Sequence, residues 1–330
     1  MESEKGMKDM KKRSFKAVLL LFVLTTLTIA LGGCSGDKKG DISSQITIGI
    51  PQDLEDSLDP HKMVTAGTRE VLFNIFEGLV KVTSDGDFVP AVASSYEETE
   101  GGKVYTFTLR DNVKFHDGST VTAEDVKFSL DKCADTSAGE PLVAAFSNID
   151  SVNILDDKTV QVVLKEADTE FLAYMTTAII PASNADPDTN PIGTGPYKFV
   201  SRSPQENFVM ERFDDYWGEP AHIKDVTLKI CANADSIVMD LEGGSIDMFA
   251  RVTSTQAAEL SDNFNVLEGT MNLVQALYLN NAEAPFDNEK VRQALCYAID
   301  PQEIMMMVSD GKGTEVGSSM FPSFGKYFMP

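Results

Sequence analysis

YTFTLRDNVKFHDGSTVTAEDVKFSL, residues 105–130, carries three kinds of local instruction in succession. Tyr105, Phe107 and Leu109 alternate with Thr106 and Thr108, the two-residue period of a strand with one buried face. Asp117-Gly118 then turns the chain, because glycine accepts backbone angles that a side chain disfavours. Thr122 follows with Asp125 three residues on, and Val126 and Leu130 share a face, so a capped amphipathic helix begins there.

The same tests, carried outward, find further elements of both kinds. ITIGI (46–50) reads as a short strand, and PQDLEDSLDPHKM (51–63) has too many turn residues to continue it. From Thr68 the spacing of Val71, Leu72, Ile75, Phe76 and Leu79 is helical, with Gly78 near the stop. KTVQVVLK (158–165) and DVTLKI (225–230) alternate like strands. Near the end, Asp287 is placed to cap a helix with Val291, Leu295 and Ile299 on one face, and Asp300-Pro301-Gln302-Glu303 starts another. Strands interspersed with helices predict an α/β or α+β architecture.

NPIGTGPYKFV (190–200) could cradle a phosphate or turn hard into a strand. A phosphate site needs its glycines to run into a helix N-terminus. Here Pro196 and the alternating Tyr197, Phe199 and Val200 follow, so Gly193 and Gly195 are expected to supply backbone angles forbidden to other residues.

The N-terminus belongs to export. Lys8, Lys11, Lys12 and Arg13 precede an uncharged, mostly apolar run from Ala17 to Leu31, the pattern of a signal peptide over residues 1–33. That run is shorter than the roughly 20 residues a helix needs to cross a bilayer. It ends in LGGCSG, so Cys34 is the expected lipidation site, and the polar residues 34–44 are a flexible tether to the membrane. Setting residues 1–33 aside, with their six Lys/Arg and three Asp/Glu, moves the net charge from −23 to −26, which argues against nucleic acid as a partner.

Catalytic and metal chemistry find little purchase. Cys133, Cys231 and Cys296 show no CxxC spacing, and the last two read as small buried groups, one ending a strand and one within an amphipathic helix. His61, His116 and His222 make neither HExxH nor HxH, and no GxSxG elbow occurs. His116 and His222 read as surface or capping residues, whereas His61, in the loop after the first strand, is placed to meet a ligand. Asp214-Asp215 and Glu97-Glu98 read as solvated faces. No enzyme activity, metal or cofactor is expected; capture of a small solute remains.

Eight stretches resemble the family 5 extracytoplasmic solute-binding proteins, the peptide and nickel group of ABC importers. In family order these are SLDPH (57–61), NIFEGLV (74–80), PAVASSYE (90–97), residues 105–130 above, PIGTGPYKFV (191–200), ERFDDYWG (211–218), GGSIDM (243–248) and PFDNEKVRQALCYAID (285–300). The resemblance implies a two-lobed periplasmic-binding-protein fold of type II. Residues 45–270 would form the first lobe with its family-specific subdomain, and residues 271–330, opening with MNLVQALYLNN, the start of the second. Members run well beyond the point where this sequence stops, so a fragment is expected. The resemblance further implies a lipid-anchored, monomeric receptor that hands short peptides to a membrane permease and its ATPase. Cleft-facing candidates are Leu58, His61, Met63 and Thr65 in the loop after the first strand, with Asn272 and Gln275 in the crossing segment. Nickel-binding members carry an arginine after the strand matching FLAYMTTAIIPAS (171–183), and this sequence has none there.

Overall fold

The structure is a computed structural model that describes residues 44–54, 57–184, 186–231, 233–260, 262–269 and 274–315. The leader and tether, with Cys34, and Asn272 lie outside the described residues. In chain order the elements are β1 (Gln45–Ile50), α1 (Ala66–Leu72), β2 (Val80–Val82), β3 (Phe88–Pro90), β4 (Ala93–Thr99), β5 (Val104–Leu109), α2 (Ala123–Ala134), β6 (Ile149–Asp156) and β7 (Thr159–Leu164). After them come β8 (Tyr197–Ser203), β9 (Asn207–Arg212), β10 (Asp225–Ile230), α3 (Ala234–Glu242), β11 (Met248–Phe249), α4 (Ser254–Leu260), α5 (Glu289–Ala298) and α6 (Pro301–Ser309).

Two sheets organise these elements. One has the order β11-β1-β10-β9-β8, with β1 parallel to both neighbours and β8, β9 and β10 joined antiparallel. The other, β4-β5-β7-β6, is wholly antiparallel. Parallel pairing needs long crossovers, and here the chain between β1 and β10 contains the entire antiparallel sheet.

The alternation read in residues 105–109 places Tyr105, Phe107 and Leu109 in the core of the antiparallel sheet, against Val160, Val162 and Leu164 of β7. Burying one such side chain stabilises by roughly 1.5–3 kcal/mol. α2 packs on this core through Val126 and Leu130, both fully buried. Its start is a capping box: Thr122 Oγ1 accepts the Asp125 N–H at 3.3 Å, and Asp125 Oδ2 accepts the Thr122 N–H at 3.0 Å. A second core under the five-stranded sheet gathers Leu58, Leu72, Ile75, Phe76, Phe208 and Leu228.

Several expectations are corrected. The helix expected from Thr68 to Leu79 ends at Leu72. Its next carbonyls leave helical geometry because distant N–H groups claim them: Gly195 donates to the Ile75 carbonyl at 2.9 Å and Tyr197 to that of Asn74 at 3.1 Å. Gly193 and Gly195 lack the left-handed angle expected of them; what they provide is closeness. A Cβ on Gly193 would lie 2.1 Å from the Ile75 carbonyl oxygen, and one on Gly195 2.5 Å from that of Asn74. Asn288, not Asp287, caps α5: the helix begins at Glu289, and the Asn288 side chain accepts the Lys290 N–H at 2.9 Å. Cys296 on that helix is exposed, because neither α5 nor α6 buries a residue.

His116 is a further correction. Its ring is a clamp inside the fold: the Gly193 N–H donates to Nδ1 at 3.3 Å, and Nε2–H donates to the Gly195 carbonyl at 3.0 Å. Burial drives its pKa down to about 4, so the ring stays neutral in the tautomer these bonds require.

Candidate ligand-binding face

β10, β1 and β11 run parallel, so their carboxyl ends, Ile230, Ile50 and Phe249, lie along one edge of the sheet. In open sheets with parallel strands, ligands bind in the crevice beyond such an edge. The segments leaving it are the loop 51–65, the turn before α3 and residues 250–253 after β11.

Two buried carboxylates fix the loop. Asp53 Oδ2 accepts the Gln205 N–H at 2.9 Å and faces Arg202 Nη2 at 3.1 Å, while Oδ1 accepts the Leu54 N–H at 2.7 Å. Burial alone would raise its pKa, but these donors together outweigh it and hold the carboxyl below the usual range. The loop is thereby tied to the β8–β9 hairpin. Asp59, fully buried, accepts Lys132 Nζ from α2 at 2.8 Å and the His61 N–H at 3.0 Å, with Lys62 Nζ 3.7 Å away. Lys62 in turn reaches Asp188 at 3.3 Å, and that pairing raises its pKa.

The predicted contact residues separate in this frame. Leu58 is buried in the core of the five-stranded sheet, and Met63 packs half-buried against the same core. His61 is buried too; its Nε2–H donates to the Ala178 carbonyl at 2.8 Å, while Nδ1 has no hydrogen-bond partner. Burial lowers its pKa, the Lys132 charge lowers it further, and the ring is neutral. Thr65 is exposed and caps α1 by accepting the Thr68 N–H. Gln275 is exposed. Exposed residues at the edge are Gln52, Thr65, Arg69, Glu70 and Arg251; a Cβ on Gly67 would lie 3.9 Å from Gln52 Nε2, so α1 stands beside the end of β1. Glu70 on α1 forms an ion pair with Arg251 beyond β11, across the same edge.

A third acid whose side chain is buried, Glu77, escaped sequence reading. Its oxygens accept Tyr216 OH and Trp217 Nε1, each at 2.6 Å, and Lys81 Nζ lies 3.9 Å away. Lys81 and Arg110 also stand over the Trp217 ring, at 5.1 and 4.5 Å. Burial raises the Glu77 pKa against the pull of those donors. The available signal was an acid set among buried apolar neighbours, Phe76 and Leu79, in the NIFEGLV stretch. Among the described residues, no group of three His, Cys, Asp or Glu is placed to hold a metal ion, and no helix is long and apolar enough to cross a membrane.

The sequence model for bacterial extracellular solute-binding proteins, family 5 Middle, matches residues 87–330. The chain belongs to that family. One relative of this family 5 chain is the oligopeptide-binding protein AppA of Bacillus subtilis, 29% identical over 92% of the chain and 60% of its own length. AppA solved with a nonapeptide superposes with a TM-score of 0.65 at 27% identity, covering 82% of this chain and 56% of AppA. The glutathione-binding protein GsiB of Pectobacterium atrosepticum is 29% identical, over 78% of this chain and 52% of GsiB. The binding protein AgaA of A. tumefacien R10, solved with agropinic acid, gives a TM-score of 0.69 at 29% identity, covering 84% of this chain and 58% of AgaA. The mixed α/β fold is thus that of periplasmic binding proteins, and the family 5 chain spans between half and two thirds of these relatives.

Proposed function

We propose that this chain is the capturing component of an ABC importer, a lipoprotein anchored through Cys34 that binds short peptides outside the membrane as a monomer and passes them to a permease and its ATPase. Residues 45–270 are the first lobe and residues 271–330 the beginning of the second. The supporting observation is that relatives aligned over 92% and 78% of the chain are named for binding an oligopeptide and glutathione, itself a peptide. Capture, not bond chemistry, is the working step. Contacts that favour a closed arrangement of lobes do so by differential affinity, and main-chain hydrogen bonds accept peptides of any sequence.

A second reading, capture of an opine, draws on the AgaA complex with agropinic acid. Calorimetric titration with di- to pentapeptides, agropinic acid and nickel–histidine separates the two. Saturable binding of peptide, recovered intact by mass spectrometry, is expected; preference for the opine or the chelate moves the assignment within the family. Cleavage of the peptide would make the protein a hydrolase and end the proposal.

A further inference from the structure

Arg251 is not a glycine, yet it has φ +66°, in the left-handed region that other residues seldom adopt. It lies two residues beyond β11, on the carboxyl edge of the parallel strands. Strain of this kind persists where the surrounding structure imposes it, and it gathers at functional sites. Glu70 of α1 pairs with Nη2 across the edge, while 59% of the Arg251 side chain and 57% of the Glu70 side chain remain exposed. Arg69, the neighbour of Glu70, instead points a donor back at the Met63 carbonyl, 3.5 Å away. The edge therefore offers a guanidinium held by a carboxylate of the same chain, both within reach of water.

We propose that Arg251 receives a carboxylate of the peptide ligand, with Glu70 occupying that place until ligand displaces it. The inference rests on the peptide-capture reading and gives it a residue. Guanidinium suits the task, since its planar fork matches a carboxylate with two parallel N–H donors. Glu70 suits the role of placeholder because an exposed ion pair contributes little and yields readily to a better-placed anion. In a chain of net charge −23, a cation presented at this edge also offsets the repulsion an anionic ligand end would meet.

The test uses the full chain and three probes: trialanine, trialanine amide, and the amide of Ala-Asp-Ala. Calorimetry gives the affinities, and the Arg251 Nε–Hε resonance reports contact directly. Trialanine is expected to shift that resonance, and Arg251→Ala to weaken trialanine about tenfold. Arg251→Lys should fall between, and Glu70→Gln should tighten binding several-fold by removing the competing carboxylate. Trialanine amide should bind the unaltered protein about as weakly as trialanine binds Arg251→Ala. If the aspartyl amide regains the affinity, a side-chain carboxylate serves Arg251 as well as the terminus does; if it does not, Arg251 takes the peptide terminus alone. Should Arg251→Ala fail to fold, the Glu70→Gln and amide comparisons decide alone. Equal binding of acid and amide by the unaltered protein overturns the role of Arg251 while leaving peptide capture standing. Binding of none of the probes overturns both.

Discussion

Helices α2 and α5 start from similar sequence signals and end in different surroundings. Each has a polar residue whose side chain accepts a backbone N–H at the first turn, Thr122 for α2 and Asn288 for α5, and each repeats apolar residues at helical spacing. Yet α2 buries Ala123, Val126, Leu130 and Cys133 against the antiparallel sheet, whereas α5 and its successor α6 bury nothing. Caps and periodicity decide that a helix forms; a facing sheet decides what its apolar stripe contributes. Residues 93–164 hold both halves of that arrangement, while among the described residues 289–309 hold one.

The comparison can be broken by substitution. Leu130→Ala, at a fully buried site on α2, is expected to cost about 2–5 kcal/mol in denaturant unfolding; a cost near zero would mean that α2 does not carry this core. Next in size is a pH effect at His116. Its folded pKa, about 4, lies below the unfolded value near 6.5, so the unfolded chain binds more protons between those limits. The stability from the neutral ring is therefore complete above pH 6.5 and is lost as pH falls towards 4. The loss is about 3 kcal/mol at most, and His61 acts in the same direction. His116→Gln keeps a donor for the Gly195 carbonyl but cannot titrate, so a flatter acid slope than that of the unaltered protein is expected; identical slopes would contradict the clamp.

Smaller again is Gly193→Ala, where the added carbon meets the Ile75 carbonyl and the backbone must shift, for about 1–3 kcal/mol. A neutral result in thermal unfolding would remove the close approach from the account. At the far end, Leu295→Ala on α5, a half-buried position outside the cores, is expected to cost about 1 kcal/mol or less. A cost matching that of Leu130→Ala would show that α5 has a partner surface in solution.

Local chemistry explains what was legible beforehand. Alternation at 105–109, 159–164 and 225–230, the Thr122 box and the Asp300-Pro301 start are instructions written within a few residues, and the structure shows each of them. The end of α1, the closeness required of Gly193 and Gly195, the His116 clamp and the Glu77 network depend on segments more than 70 residues apart meeting. No periodicity records such meetings. The candidate site divides along the same line: the loop after β1 was found from its turn residues, but Leu58 and His61 within it face inward, and Arg251 and Glu70 gained their interest only when the sheet edge brought them together.

Hydrogen–deuterium exchange with and without saturating trialanine tests the central claim most directly, because it asks where a peptide is felt. Slower exchange is expected at residues 51–54, 57–70 and 248–253, the segments leaving the carboxyl edge, with little change in the antiparallel sheet at 93–164. Slowing confined to that sheet, or none at residues 248–253, would contradict a ligand face at the edge of β10, β1 and β11.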